Sequence, residues 1–312
     1  MRNKILVLGG AGFIGANVTH RLVHQGYDVR VFTRSSRSVQ NLAPILSKIE
    51  LQYGDYMDEV ALRKAMIDVD CVIHLISTTL PGTSSNVGTY DIFSNVIPTL
   101  RILENCLNNN IKQLIYASSG GTIYGDSREL IHEDHVLDPK SMYGLSKKNI
   151  ESYLNYYANN SNLNIQILRL SNPYGPYQNP YGAQGIIATA FRSILNNTPI
   201  QILGDGNVIR DYIYIDDVVD AFTIAMKQLK SNTINISSSK GRSVLNVLAD
   251  IEQISGKKII KEFLPARTGD VLQNVLDNRK ANEQYHWTPK TSFIDGLAPT
   301  WKWEKKEISG KK

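Results

Sequence analysis

The chain opens on a continuous apolar run, Lys4-Ile5-Leu6-Val7-Leu8, of the kind shown by a strand buried on both faces. A helical pattern follows over 17–25, with Val18, Leu22 and Val23 on one face, and then a second strand over 28–33. Further β-branched runs lie at 49–53, 71–76, 113–117 and 164–170, each reached through a segment long enough for a crossover helix. This rhythm predicts an α/β fold, a doubly wound parallel sheet of Rossmann type with helices on both faces. After Pro173 the rhythm breaks, and Pro, Gly, Asn and Tyr crowd 172–184. Patterns resume at 186–195, 200–203, 216–229 and 244–255, which predicts a smaller second lobe. The expected division is 1–172 with some later segments returning to it, 173–303, and a frayed basic tail over 304–312.

Composition adds exclusions. Of 312 residues, 42% are hydrophobic and 20% charged, which is globular and neither disordered nor fibrous. The net charge of +5 owes much to Lys302, Lys305, Lys306, Lys311 and Lys312, a solvated end. No basic face suited to nucleic acid emerges. No stretch of 18 apolar residues suggests a membrane span, and the first apolar run is broken at once by glycines, unlike a secretion signal. Cys71 and Cys106 both sit in apolar patterns, as core thiols of a reduced, cytoplasmic protein. No metal site is expected.

The loop Gly9-Gly10-Ala11-Gly12-Phe13-Ile14-Gly15 joins the first strand to the first helix. Gly9 permits a tight turn, Gly12 lets backbone approach a pyrophosphate, and Gly15 lets helix and strand pack closely; the helix N-terminus supplies N–H groups to the phosphates. The spacing therefore predicts a dinucleotide site. An acid is expected at the end of the second strand to hold the adenosine ribose, but Thr33 and Arg34 stand there, and Asp28 lies at the wrong end. Arg34 either pairs with a 2′-phosphate, which would favour NADP over NAD, or stacks on adenine or faces water. Asp55 after the third strand serves equally as an adenine contact or an ordinary turn residue.

Tyr143-Gly144-Leu145-Ser146-Lys147 places a phenol and an ammonium four residues apart, on one face of a helix. A neighbouring ammonium lowers a phenol's pKa and readies it for proton transfer with a sugar hydroxyl or carbonyl. With the glycine loop, His74-Leu75, Asn95-Val96, the run 118–125 (Ser-Ser-Gly-Gly-Thr-Ile-Tyr-Gly), Asn172-Pro173, Arg210-Asp211-Tyr212 and Arg267-Thr268-Gly269-Asp270, the pair gives a pattern. From Gly9 to about Trp303 it resembles the extended short-chain dehydrogenase/reductases, and among them the UDP-glucose 4-epimerase group.

The resemblance implies NAD as cofactor, held by the glycine loop with Phe13 and Ile14 and by Tyr56, Leu75, Asn95, Ser118, Tyr143 and Lys147. It implies Tyr143 as acid/base with Lys147 as its partner. Asn172, Arg210 and Arg267 would hold the nucleotide diphosphate, with Asp270 on the uridine ribose and Thr122 on the sugar. Two departures stand out. The catalytic Ser or Thr of the group is Gly120 here, so Ser119 or Thr122 would supply the hydroxyl, or a water would. The acid at the cofactor ribose is absent, as above. The implied activity is 4-epimerisation of UDP-hexoses or UDP-N-acetylhexosamines through a 4-keto sugar, in sugar-nucleotide or surface-polysaccharide metabolism. An NADP-dependent reductase of a 4-keto sugar nucleotide and a non-catalytic nucleotide-binding protein are the competing readings. A 4,6-dehydratase is disfavoured because Gly121 and Thr122 stand where its acidic pair would be. Asn274, four beyond Asp270, would face the sugar's C2 substituent and, being small and carrying an amide able to hydrogen-bond an acetamido oxygen, admit an N-acetyl group; a register shifted by one residue would put Gln273 or Val275 there instead. The resemblance also implies a homodimer through helices near 92–108 and 143–158, with Val96, Leu100, Leu103, Ile150, Tyr153 and Tyr157 as candidate contacts.

Overall fold

A computed structural model describes residues 4–34, 36–79, 88–179, 185–266 and 271–309. In chain order the elements are β1 (Lys4–Leu8), α1 (Phe13–His24), β2 (Asp28–Thr33), β3 (Glu50–Tyr53), α2 (Glu59–Ala65), β4 (Cys71–His74), α3 (Gly88–Asp91), α4 (Ile97–Asn108) and β5 (Gln113–Ser119). There follow α5 (Gly120–Ile123), α6 (Met142–Asn160), β6 (Asn164–Leu170), β7 (Asn172–Tyr174), α7 (Ile186–Asn196), β8 (Ile200–Leu203), β9 (Ile209–Tyr214) and α8 (Ile215–Ala225). The last are β10 (Asn232–Ile236), β11 (Gly241–Ser243), α9 (Val244–Ser255), β12 (Lys261–Leu264), β13 (Gln273–Asn274), α10 (Arg279–Tyr285) and α11 (Phe293–Ser309). A 3₁₀ segment covers Ser36–Lys48, and a π-helical turn, Ile92–Val96, links α3 to α4.

The chain divides into two compact units. The first holds 1–119, 141–169 and 219–234; the second holds 120–140, 170–218 and 235–312. The division expected near 172, with later segments returning to the first part, is more interleaved than that: the stretch after β5 leaves the first unit, and 141–169 and 219–234 re-enter it.

The first unit is built on a seven-stranded sheet of order β10-β6-β5-β4-β1-β2-β3, Rossmann-like as the alternation predicts. The pairings from β3 through β5 are parallel. Ile5 of β1 lies opposite Val29 on one side and Cys71 on the other, and Ile5 through Leu8 are fully buried, which is why this strand reads as an unbroken apolar run. Leu6, Val72, Leu114 and Ile165 of the sheet pack in one core with Leu103 of α4 and Leu154 of α6. Between β1 and β4 the strand order reverses direction, and in open α/β sheets ligands bind outside the carboxyl ends of the strands at such a point.

In the second unit β9 is the central strand, flanked by β11 and β13 and paired also with β7; β8 and β12 form a separate parallel pair. Helices α7, α9 and α11 pack against one another. The tail expected to fray from 304 is instead helical through Ser309. Trp301 stacks on Phe191 at 5.0 Å and Glu304 is fully buried, so α11 is held by packing that its basic composition conceals. Among the described residues no helix is long and apolar enough to cross a membrane.

Candidate active site

The glycine loop turns as its spacing requires. Gly9 has φ +81°, a left-handed conformation open to glycine at little cost, and its carbonyl accepts the Gly12 N–H at 3.0 Å. A Cβ on Gly15 would lie 2.1 Å from the Gly9 carbonyl oxygen and 2.7 Å from the Gly10 Cα, so only glycine lets α1 begin this close to β1. Gly12 is the N-cap and places no side chain over the first turn, leaving the positive end of α1 uncovered. A glycine turn with no capping side chain among the described residues and a 12-residue helix dipole behind it fits the pyrophosphate of a dinucleotide. Leu75, just beyond β4, is tied to β1 by its N–H to the Leu8 carbonyl, and a Cβ on Gly9 would touch Ile76.

Other residues expected at the cofactor fall differently. At the end of β2, Thr33 is buried and Arg34 exposed. Asp55 lies in an exposed turn where its Oδ1 accepts the Met57 N–H at 2.8 Å. The Tyr56 side chain turns inward, a correction to its expected place against the cofactor. Its hydroxyl meets His74 Nε2 at 3.0 Å and Thr99 Oγ1 at 2.9 Å, because a phenol buried under the sheet must find polar partners there. Asn95 is also buried: its Oδ1 accepts the Thr78 N–H and its Nδ2 donates to Asp91.

Ser141 caps α6 by accepting the Gly144 N–H, which fixes where the helix carrying the Tyr–Lys pair starts. Hydrogen bonds join the Tyr143 phenol to the hydroxyls of Ser77 and Ser119. The Lys147 ammonium donates to the Ala117 carbonyl at 3.0 Å and stands 4.6 Å from the centroid of the Tyr116 ring and 5.6 Å from that of Tyr143. Desolvation raises the Tyr143 phenol to about 12, opposed by the two serine hydroxyls. Here the structure departs from the expectation drawn from spacing, since the ammonium is turned to a backbone carbonyl of β5. Desolvation lowers Lys147 to about 8, against the pull of Glu151. Of the two hydroxyls expected to replace the one absent at Gly120, Ser119 is the one bonded to Tyr143. Ser118 is buried, and its hydroxyl donates to Glu151, away from the place expected for it at the cofactor.

In the second unit Asn172 donates from Nδ2 to the Asp211 carbonyl at 2.8 Å, and a Cβ on Gly121 would lie 3.6 Å from its Oδ1. Arg210, half-buried on β9, stands opposite Arg242 on one side and Asn274 on the other. Thr122 is half-buried in the short helix α5, which Gly120 begins. Arg267 and Asp270 lie outside the described residues. Asn274 is fully buried, and its Nδ2 donates to the carbonyls of Gly120 and Gly125 at 3.2 and 3.3 Å. The amide N–H groups expected to meet an acetamido oxygen are therefore spent on the backbone. Only Oδ1 has no partner among the described residues, and it is an acceptor.

Sequence reasoning missed three groups. Ser77 lies in a loop and carries no pattern. Glu151 repeats the spacing of four that links Tyr143 to Lys147, a signal that was there to read. Asp211 organises the second unit: its carboxylate accepts N–H groups from Ser238, Ser239 and Leu276 and the Ser238 hydroxyl. Desolvation outweighs these bonds and raises its carboxyl from 3.8 to about 6. The folded chain thus holds this proton more tightly than the unfolded chain. Stability from this group is present below pH ~4 and is lost as pH rises to ~6, an effect on the order of 2–3 kcal/mol. Denaturant midpoints from pH 4 to 7 should show that decline, and Asp211→Asn should lack it.

Comparison with known proteins agrees with this geometry. Residues 5–237 match the model of the NAD dependent epimerase/dehydratase family. A UDP-glucose 4-epimerase of Mycolicibacterium smegmatis is 31% identical, with 95% of this chain and 97% of that protein covered. A dTDP-4-dehydro-6-deoxyglucose reductase of Escherichia coli is also 31% identical, over 95% and 96%. The crystal structure of the Thermotoga maritima UDP-glucose 4-epimerase with UDP-glucose superposes with a TM-score of 0.92 at 33% identity, covering 98% of this chain and 99% of that one. With a glycine turn at β1 and a hydrogen-bonded Tyr143 beside Lys147, the chain belongs to the NAD dependent epimerase/dehydratase family, as an extended short-chain dehydrogenase/reductase.

Proposed function

We propose that the protein interconverts UDP-hexoses, or UDP-N-acetylhexosamines, at C4 through a 4-keto sugar. The observation that carries this reading is the Tyr143 phenol, bonded to two hydroxyls and set one helical turn from Lys147. Gly9, Gly12, Phe13, Ile14 and Gly15 would hold the pyrophosphate of NAD through their backbone, with Arg34 and Asp55 toward the adenosine end and Leu75, Asn95 and Lys147 toward the nicotinamide end. NAD supplies, when bound, a hydride acceptor that also returns the hydride. Tyr143 takes the C4 hydroxyl proton and gives it back, and the Ser119 and Ser77 hydroxyls stabilise its phenolate. Asn172, Arg210, Arg267 and Asp270 bind the nucleotide, with Thr122 on the sugar; two guanidiniums and an amide suit a diphosphate. Asn274 would lie toward the sugar's C2 substituent, where its buried, unpartnered Oδ1 would accept from the N–H of an acetamido group. On this reading the enzyme is cytoplasmic, which suits its two buried free thiols, Cys71 and Cys106.

The test is incubation with UDP-glucose and with UDP-N-acetylglucosamine, and chromatography of the products. Epimers formed without net change in added nicotinamide cofactor support the reading. Consumption of reduced cofactor with a 4-keto sugar nucleotide, the reaction in the name of the E. coli relative, would replace it.

A homodimer belongs to the same proposal, with corrected contacts. Val96, Leu103 and Ile150 are buried in the first unit's core, and Leu100 and Tyr157 pack against it, because the stripes expected at the dimer face the sheet. Ile92, Phe93, Leu107, Leu145, Tyr153 and Tyr156 are the exposed large apolar residues of these segments. Light scattering at micromolar concentration should give twice the chain mass, and Phe93→Glu with Tyr156→Glu should halve it.

A further inference from the structure

Four residues beyond Lys147, and on the same face of α6, Glu151 forms a buried ion pair with Arg169 of β6. Arg169 Nη2 and Nε donate to Glu151 Oε2 at 2.6 and 3.0 Å, and the two residues are 5% and 1% exposed. Breaking such a pair leaves a bare buried charge, whereas exchanging both partners for apolar residues is often neutral or stabilising, so the pair is weak evidence for a role in stability. Its surroundings point elsewhere. Glu151 Oε1 accepts the Ser118 hydroxyl, and the last three residues of β5 are each tied to one rung of α6: Ser119 to Tyr143, Ala117 to Lys147 and Ser118 to Glu151.

We propose that Glu151 is a positioning residue for the Tyr143–Lys147 pair, fixing the end of β5 through Ser118 and keeping a negative charge one helical turn from the Lys147 ammonium. The catalytic part rests on the proposed epimerase reading; the electrostatic part does not. Lys147 is desolvated, and Glu151 is the group that opposes the resulting fall toward a neutral amine. The other groups around the pair do not do this. His74 of β4 is neutral, held near 3 by burial; Tyr116 of β5 offers a ring face and a phenol raised by burial; Asp91 of α3 acts on Tyr143; and Arg169 of β6 carries the wrong sign. A lysine that must stay charged beside a phenol near neutral pH therefore depends on Glu151.

The experiment compares the wild-type protein with Glu151→Gln and with the double variant Glu151→Leu/Arg169→Met, which removes both charges. Lys147 Nζ is titrated by heteronuclear NMR of lysine-labelled protein, its signal assigned by loss in Lys147→Arg. Turnover of the UDP-hexose is followed against pH. In both variants the Lys147 midpoint is expected to fall by about 1 pH unit, and kcat with it by about twofold at pH 7 and about fivefold at pH 8, with KM within threefold. An unchanged Lys147 midpoint in a folded double variant overturns the proposal. So does a shift confined to Glu151→Gln, which would trace it to an unpaired Arg169. If Glu151→Gln does not fold, the double variant decides alone. If the wild-type protein turns over no UDP-sugar, the epimerase reading fails while the NMR titration still decides whether Glu151 holds the charge on Lys147.

Discussion

Tyr143→Phe is expected to lower turnover by roughly two to four powers of ten while the protein keeps its NAD. The substitution removes one oxygen from a side chain whose ring lies 5.6 Å from the Lys147 ammonium, so the lysine and its bond to the Ala117 carbonyl should stay in place. Steady-state kinetics give the loss, and mass spectrometry of nucleotide released from the purified variant checks that the cofactor remains. Ser119→Ala and Thr122→Ala refine the result. Ser119 hydrogen-bonds Tyr143, so its loss should cost more turnover than that of Thr122. An undiminished Tyr143→Phe enzyme would remove the phenol from the mechanism altogether.

Gly15→Ala should be the most damaging glycine-to-alanine change among the described residues. The new carbon would lie 2.1 Å from the Gly9 carbonyl oxygen, far inside contact distance, and that carbonyl is held by the Gly12 N–H. The loop must open or α1 must shift, at a cost of about 3 kcal/mol or more, and either movement spoils the cradle. Purified Gly15→Ala should carry no nucleotide and melt well below the parent protein. Gly26→Ala is the control. It has φ +83° but nothing within 4 Å of the added carbon, so it should cost only about 1 kcal/mol and leave cofactor content unchanged. Retained nucleotide in Gly15→Ala would show that the loop does not depend on close packing there.

Much of the first unit was legible because its determinants are local. A buried parallel strand reads as an apolar run, a turn at positive φ calls for glycine, and a spacing of four marks a helix face. Hence β1, β2 and β6 of the first unit, and β8 and α9 of the second, fall where their patterns place them. What was not legible depends on direction. Tyr56 and Ser118 occupy positions next to the loops that carry the site, yet their hydroxyls point into the protein, toward His74 and Glu151. No periodicity distinguishes a polar side chain aimed at a ligand from one aimed at a buried partner. The dimer stripes failed for a related reason, since an amphipathic helix shows that one face is apolar but not what covers it. Neither the size of Asn274 nor its amide shows that its two N–H bonds go to the Gly120 and Gly125 carbonyls, in a segment about 150 residues earlier in the chain.

The interleaving of the two units bears on how the polypeptide is made. The sheet of the first unit lacks its edge strand until residues 232–234 have been synthesised, and α8 supplies helix to that same unit only a little earlier. A ribosome adding about 5–20 residues per second would therefore hold the N-terminal 172 residues for several seconds before their last partners emerge. A fragment ended at 172 should then be an aggregation-prone intermediate rather than a free-standing cofactor domain. Exchange of specificity between relatives by recombination at one crossover point would be penalised for the same reason, whereas exchange of single loops such as 120–140, whose ends return to one unit, would be tolerated.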